Sequence, residues 1–218
     1  MKNTKNNIFS ENISNRLYGY NNLFNNFETL FRNNKLPKIL LLTGDKGIGK
    51  FTFIFHFINF ILCEKDNFSY DKDNFTLQSD NNILSKIKLN VEQNFNYLGC
   101  EKPYNTSVDS IRELKIKLSQ PPLNNSPRFN VIDDIEFINL SSANALLKLI
   151  EEPSNYDYFF LINNKNNKLI ETLMSRSIEF KIFLSIEDKK NIFNSLKNYL
   201  KLENNFLNNY LHYGTPGN

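Results

Sequence analysis

A glycine-rich segment between two apolar runs constrains the fold of this chain more than any other feature of its sequence. Residues 44–50 have the sequence Gly-Asp-Lys-Gly-Ile-Gly-Lys, between an apolar run at 39–43 and a helix-like run at 51–62. A strand, a glycine-rich loop and a helix in this order form a phosphate-binding loop, or P-loop, in which backbone N–H groups and a lysine contact phosphate oxygens. We therefore expect nucleotide to bind at the three glycines and the lysine, which are Gly44, Gly47, Gly49 and Lys50.

The residue that follows the lysine departs from this motif. A serine or threonine is expected there, because its hydroxyl binds Mg²⁺. The chain has Phe51 at that position, and a threonine comes only at Thr52. We include Thr52 among the candidate nucleotide-binding residues. The loop predicts an ATP site and leaves hydrolysis open.

Apolar runs typical of strands alternate with runs typical of helices along most of the chain. This alternation predicts an α/β fold with a parallel, doubly wound sheet and helices on both of its faces. The charged, Asn-rich stretch 64–90 is predicted to be a long loop with one short helix at 82–88, and a further short helix is predicted at 168–174.

The character of the sequence changes after residue 183. Two helical runs follow at 185–200 and 203–212, and no strand-like run separates them. We therefore predict a P-loop domain over residues 1–183 and a small all-helical domain over residues 184–218.

Polar residues end two of the predicted strands. The run 128–134 ends in Asp133-Asp134, roughly 80–90 residues after the loop, which is the spacing of nucleoside triphosphatases. Asp133 is expected to hold Mg²⁺ through water and Asp134 to orient the attacking water, although aspartate is one methylene shorter than the usual glutamate base. Asn163 ends the next strand and is expected to contact the γ-phosphate. The alternative for all three is that they cap the turns that follow their strands.

One arginine stands between two small residues after the predicted helix at 168–174. Arg176, flanked by Ser175 and Ser177, can act as an arginine finger, which reaches the nucleotide of a neighbouring subunit and neutralises charge in the transition state. The alternative is a surface salt bridge, and the spacing alone favours that alternative.

Net charge, cysteine spacing and apolar runs limit which other classes of protein the sequence indicates. The formal net charge of +3 and the pI of about 8.7 are too mildly basic to establish nucleic-acid binding. The two cysteines are isolated, so we expect neither a zinc site nor a disulfide framework. The sequence has neither a membrane-spanning apolar run nor a signal peptide, and we expect a cytoplasmic protein that does not contact a membrane.

Three segments resemble the signatures of bacterial clamp-loader subunits. Residues 144–153 have the sequence Asn-Ala-Leu-Leu-Lys-Leu-Ile-Glu-Glu-Pro, residues 171–177 have Glu-Thr-Leu-Met-Ser-Arg-Ser, and residues 108–114 have Val-Asp-Ser-Ile-Arg-Glu-Leu. Together with the P-loop, the resemblance extends from about residue 16 to the end of the chain, and in this order the motifs are highly specific.

The resemblance implies a RecA-like AAA+ domain followed by a small helical lid. Within the family, three departures resemble the delta-prime class of DNA polymerase III subunit: the Asp-Asp pair, the absence of the zinc-binding cysteines of gamma/tau from residues 64–100, and Phe51. Such subunits hydrolyse ATP poorly, and their Ser-Arg-Cys arginine, here Arg176, serves the ATP site of the adjacent gamma subunit. The implied partners are gamma/tau and delta subunits, and through the complex the sliding clamp and primer-template DNA.

Two other hypotheses remain open from the sequence. The chain could be an independent AAA+ ATPase that uses its own P-loop, or a P-loop module that binds nucleotide only to stabilise its fold. Members of the resembled family continue past a Gly-x-Pro-Gly turn, here residues 214–217, into a helical collar domain. We therefore expect the collar to be absent from the printed sequence.

Overall fold

A parallel sheet of five strands forms the centre of the computed structural model, which describes residues 14–63, 70–78, 82–89, 91–100, 106–165 and 167–200. The strands are β1 (Ile39–Thr43), β2 (Tyr70–Asp71), β3 (Thr76–Leu77), β4 (Phe95–Gly99), β5 (Arg128–Asp133), β6 (Asp157–Asn163) and β7 (Ile178–Lys181). The α-helices are α1 (Asn21–Arg32), α2 (Lys50–Leu62), α3 (Asn82–Lys88), α4 (Val108–Leu118), α5 (Leu140–Ile150), α6 (Glu171–Met174) and α7 (Ile186–Leu200).

The strand order in the sheet is β4-β5-β6-β1-β7, and every neighbouring pair is parallel. Thr43 pairs with Asn163, and Gly99 pairs with Asp133, so these four residues lie along the carboxyl edge of the sheet. Ligands of open parallel sheets bind at this edge. The predicted α/β fold is confirmed, and the P-loop begins where β1 ends.

Two apolar cores cover the two faces of the sheet, because successive strand residues point in opposite directions. Leu40 and Leu42 belong to a core rich in phenylalanine, which includes residues of α1 and α2, whereas Leu41 belongs to a second core, which includes residues of α4 and α5. Helix α2 is buried nearly all round. The helices therefore lie on both faces, as the sequence predicted.

A two-stranded antiparallel hairpin, formed by β2 and β3, lies in the stretch that the sequence assigned to a loop. Tyr70 and Phe75 pack on Phe24, with ring centroids 5.9 and 5.2 Å away. The backbone N–H of Leu17 donates to the carbonyl of Phe75 at 2.9 Å, which ties the segment before α1 to the hairpin. The prediction of a loop here was incomplete because two-residue strands carry almost no periodic signal. The predicted short helix at 82–88 is present as α3.

Helix α6 begins at Glu171, three residues later than the sequence predicted. Helix α7 corresponds to the first of the two helical runs expected after residue 183. The second, at 203–212, lies outside the described residues, so the division into two domains stays a prediction. In the part of the chain that the structure describes, no helix is long and apolar enough to cross a membrane.

Candidate functional site

The P-loop needs its three glycines for two reasons: Gly47 and Gly49 have left-handed backbone conformations, and Gly44 lies against another part of the backbone. Gly47 and Gly49 have φ angles of +79° and +90°, which side chains disfavour by about 1–2 kcal/mol. Gly49 directly precedes α2. A Cβ on Gly44 would lie 2.4 Å from the carbonyl oxygen of Ile182, so this position has no room for a side chain. The loop therefore has the backbone geometry that its sequence predicts.

The ammonium group of Lys50 is held by the loop itself. Its Nζ donates to the carbonyl oxygens of Gly44 and Asp45, at 2.8 and 2.6 Å, and the residue is only 3% exposed. Burial lowers the pKa of Lys50 to about 8, against the raising effect of Asp133. A phosphate group at the loop would have to replace these two carbonyls as partners of Nζ.

The side chain that replaces the expected hydroxyl packs against the neighbouring strand. The ring of Phe51 meets the ring of Tyr97 edge to face, with centroids 5.2 Å apart. The hydroxyl of Tyr97 donates to Oδ2 of Asp133 at 3.3 Å, and the backbone N–H of Asp134 donates to Oδ1 at 2.9 Å. Both carboxylate oxygens of Asp133 therefore accept bonds from the protein.

Burial, followed by the nearby charge of Asp134, raises the pKa of Asp133 to about 7. A carboxyl whose neutral form is favoured by burial, and whose two oxygens both accept hydrogen bonds from the protein, is a poor ligand for a hard cation. Phe51 offers no oxygen, and Thr52 points about 100° further round the helix axis. These residues do not fit Mg²⁺, and no step proposed for this chain uses it.

The other acidic residues fasten the end of β5 to the turn after β6. Asp134 has a φ of +53°, and its Oδ1 accepts from Nδ2 of Asn164 at 2.6 Å. Glu136 is buried and accepts the backbone N–H of Asn164 with both oxygens, at 3.1 and 3.2 Å. Sequence reasoning missed this role of Glu136 and Asn164. The geometry supports turn capping for Asp134.

Asn163 lies beside the P-loop, where the sequence placed it. Its carbonyl accepts the backbone N–H of Gly44 at 3.2 Å, and its side-chain oxygen accepts the backbone N–H of Lys165 at 2.9 Å. The residue is only 8% exposed. The amide oxygen thus caps its own turn, and a contact with a γ-phosphate stays a prediction.

Arg176 lies apart from these contacts, on the turn after α6. Its Nε and Nη2 both donate to Oε1 of Glu151, at 3.1 and 2.9 Å, and its side chain is 39% exposed. The flanking hydroxyls bind the last turn of α6: Ser175 donates to the carbonyl of Thr172, and Ser177 to that of Leu173. Hydrogen bonds on both sides of Arg176 therefore hold the turn in place, and its guanidinium stays part-exposed.

A tyrosine that the sequence analysis did not single out connects the P-loop to the segment before α1. The hydroxyl of Tyr20 donates to the carbonyl of Ile48, and burial raises the pKa of this phenol. Next to it, Gly19 lies so close to α7 that an added Cβ would be 2.7 Å from Cδ1 of Ile192. The loop and α7 thus contact the same short segment. An isolated Tyr-Gly-Tyr before a helix gives no sequence signal for this role.

Cys63 and Cys100 are both free thiols buried in the protein. Burial raises the pKa of Cys100 to about 12, so its thiol stays protonated. Among the described residues, no group of three or more His, Cys, Asp or Glu side chains is arranged to hold a metal ion.

Comparison with known proteins shows which family this chain matches. Residues 19–184 match the family model described as DNA polymerase III, delta subunit. The chain is 29% identical over 175 residues to DNA polymerase III subunit delta' of Buchnera aphidicola subsp. Schizaphis graminum (strain Sg), an alignment that covers 80% of this chain and 51% of that protein. It is also 29% identical over 167 residues to subunit gamma of the same organism, which covers 77% and 43%. The chain thus spans about half the length of the curated relatives it matches.

A solved structure shows the same fold. The RuvB Holliday junction branch migration motor of Thermotoga maritima superposes with a TM-score of 0.51 at 16% identity, covering 87% of this chain and 55% of that one. This likeness, together with the sheet order and the P-loop, shows a RecA-like AAA+ fold.

Proposed function

We propose that this chain, which belongs to the DNA polymerase III delta subunit family, works as a delta-prime-like subunit of a clamp loader. In this role it helps to load the sliding clamp onto primed DNA during replication in the cytoplasm. It supplies Arg176 to the ATP site of a neighbouring ATPase subunit and hydrolyses little ATP itself. Its partners are gamma/tau and delta subunits, with the clamp and primer-template DNA reached through the complex.

One observation carries the choice of a delta-prime-like role over a gamma-like motor. Phe51 and Tyr97 pack together, and Tyr97 bonds to Asp133, where a motor subunit needs a hydroxyl and an ionised carboxylate for its metal. A subunit with this arrangement is expected to depend on its neighbours for hydrolysis. The gamma and delta' subunits of Buchnera aphidicola are both 29% identical to this chain, so the choice depends on the site and not on overall identity.

The surroundings of Arg176 support a role between subunits. The side chain is part-exposed on a turn whose two serine hydroxyls bond to α6, so the backbone that carries it is held in place. An arginine presented in trans stabilises the charge of phosphoryl transfer and is worth about 10³–10⁵ in rate.

The P-loop of this chain retains the parts that hold phosphate. The turn through Gly47 and Gly49 and the ammonium of Lys50 would bind the phosphates of ATP, with Thr52 and Asn163 beside them. Because the residues beside the loop do not fit Mg²⁺, we propose that a nucleotide bound here stabilises the fold or the subunit assembly.

The test uses the complex reconstituted from this protein with its gamma/tau and delta subunits. Arg176→Ala should reduce clamp- and DNA-stimulated ATP turnover at the neighbouring site by about 10³-fold. Lys168→Ala is the matched control, because it removes another exposed cation, paired with Glu171, from the start of the same region. Unchanged turnover with Arg176→Ala would count decisively against the proposal.

An independent ATPase is the second candidate, favoured by the intact glycine turn and by the buried Lys50. It predicts steady-state hydrolysis by the purified chain, abolished by Lys50→Ala. The absence of hydrolysis from the wild-type chain, at protein concentrations where the reconstituted complex turns over, would exclude this candidate.

A further inference from the structure

Glu151 holds one edge of the Arg176 guanidinium. Nε and Nη2 form that edge, and both donate to the same oxygen, Oε1, while Nη1 donates to the carbonyl of Thr172 at 3.3 Å. Glu151 follows directly after α5 and Arg176 follows α6, so the ion pair joins the ends of these two helices through residues that are 25 positions apart in the chain.

These bonds fix the direction of the guanidinium and still leave part of it available. Arginine carries five N–H donors in a planar fork. Within the described part of the chain, Glu151 and Thr172 accept three of them, and the donors that remain are on Nη1 and Nη2, at the tip of the side chain. The tip is one of the edges from which a guanidinium can donate two parallel bonds to a phosphate, and Glu151 already takes the other.

The pair contributes little to folding, because both side chains are substantially exposed to water. The side chain of Arg176 is 39% exposed and that of Glu151 is 48% exposed. Double-mutant cycles on exposed ion pairs give small coupling, and many such pairs contribute nothing measurable to stability. A free arginine, by contrast, loses considerable rotamer freedom when it must adopt one geometry. The pair therefore affects the placement of Arg176 more than the stability of the fold.

We propose that Glu151 is the positioning residue that orients Arg176 toward the triphosphate of the neighbouring subunit. This inference rests on the proposed function, because it requires Arg176 to act in trans. Glu151 itself does not touch the nucleotide. It acts on the rate through the orientation of the guanidinium, and an exposed pair worth up to about 1 kcal/mol can raise the population of one orientation by up to about fivefold.

The experiment measures ATP turnover by the reconstituted clamp loader, with saturating clamp and primed DNA, as a function of ATP concentration. Glu151→Ala should lower kcat by about two- to fivefold with little change in KM, because an exposed pair contributes up to about 1 kcal/mol to the orientation of Arg176 and the guanidinium acts in the transition state. Glu151→Gln keeps an acceptor oxygen and should fall between Ala and wild type. Glu152→Ala removes the same charge from the adjacent exposed residue and should leave kcat unchanged.

A double mutant separates positioning from any independent effect of Glu151. If Glu151 acts only through Arg176, adding Glu151→Ala to Arg176→Ala should lower turnover no further. The thermal unfolding midpoint of each single variant is compared with that of the wild type, and the two should be close because the pair is exposed.

The outcomes distinguish this inference from the proposed function. Wild-type kcat with Glu151→Ala, alongside a strong loss with Arg176→Ala, would overturn the positioning role and leave the trans arginine standing. A further loss in the double mutant, or a higher kcat with Glu151→Ala, would also overturn it. No effect of Arg176→Ala would remove the proposed function and this inference together.

Discussion

The rings of Phe51 and Tyr97 meet edge to face, 5.2 Å between centroids, at the helix position that directly follows the P-loop lysine. Tyr97 in turn donates its hydroxyl to Asp133. Phe51, which stands where the P-loop motif has a hydroxyl, thus packs against Tyr97 of strand β4. At this edge of the sheet, an aromatic contact and a hydrogen-bonded carboxyl occupy the place where a P-loop protein binds its metal.

The first prediction concerns Mg²⁺. We expect the affinity of the purified chain for ADP to be the same in Mg²⁺ as in EDTA, measured by isothermal titration calorimetry. Phe51→Thr restores the hydroxyl and removes the ring that packs on Tyr97, so magnesium should strengthen ADP binding by about tenfold, or 1.4 kcal/mol. Thr52→Ala is the control. If magnesium strengthened ADP binding by the wild type, and Thr52→Ala abolished that gain, Thr52 would be a magnesium ligand. That result would refute the conclusion that these residues do not fit Mg²⁺.

The second prediction concerns the pH dependence of stability. His56 is fully buried, its Nε2 contacts the carbonyl of Ser14, and its Nδ1 contacts the hydroxyl of Tyr70. The neutral ring that donates from Nε2 and accepts at Nδ1 satisfies both contacts. Burial lowers the pKa of His56 from 6.5 to about 4. The unfolded chain therefore binds a proton first, and stability is lost as the pH falls from about 6.5 to 4, by about 3 kcal/mol.

Asp133 acts in the opposite direction over an overlapping range. Its pKa is raised to about 7, so the native state binds the proton first and stability falls as the pH rises from about 4 to 7. Urea unfolding of single variants between pH 4 and 7 separates the contributions of His56 and Asp133 to stability. Relative to wild type, His56→Asn should gain stability as the pH falls, and Asp133→Asn should lose it. Parallel profiles for all three proteins would refute both assignments.

A buried ion pair supplies the third prediction. Arg128 and Asp157 are each 4% exposed at the side chain, with Nε 2.7 Å from Oδ1. Arg128 also donates to three carbonyls where α4 ends, at Lys117, Leu118 and Gln120. Because Arg128→Met leaves the carboxylate buried without its partner, we expect a loss of about 3–5 kcal/mol in urea unfolding.

The matched control for this pair is Arg112→Met. Arg112 pairs with Asp109 at 2.8 Å, but both side chains are at least 70% exposed. We expect this change to cost less than about 1 kcal/mol. Equal losses for the two variants would show that burial does not set the strength of the Arg128 pair.

The sequence predicted those parts of the fold that depend on local periodicity and local chemistry. Strand β1, the loop and helix α2 were placed to within a residue. The start of α4 likewise depends on local chemistry, because Ser107 accepts the backbone N–H of Ser110 as an N-cap does. Each of these features is encoded within a few consecutive residues.

Contacts between distant parts of the chain could not be predicted in the same way. Tyr97 and Asp133 are 36 residues apart, and the pairing of β4 with β5 brings them together. Phe75 has a φ of +51°, which local preferences oppose and its packing against Phe24 compensates. The ion pair of Glu151 with Arg176 likewise requires α5 and α6 to be in place. The motifs indicated which residues matter, and only the tertiary structure shows what each one contacts.

The fourth prediction compares two glycines of the P-loop. In Gly44→Ala the new Cβ would lie 2.4 Å from the backbone oxygen of Ile182, so the end of β1 and the segment after β7 must separate. In Gly49→Ala the nearest atom is 3.5 Å away, on the ring of Tyr20, and only the φ of +90° is unfavourable. We expect Gly49→Ala to cost about 1–2 kcal/mol and Gly44→Ala more than that.

Urea unfolding of the two variants at pH 7 measures this difference, with the m-value as a check that each still unfolds from a compact native state. The order of the two losses decides the interpretation, because both variants add the same single methyl group. If Gly49→Ala were the more damaging change, backbone conformation rather than the contact with Ile182 would be the main constraint on the loop. If Gly44→Ala were neutral, the close approach of β1 to the segment after β7 would not be a feature of the folded protein.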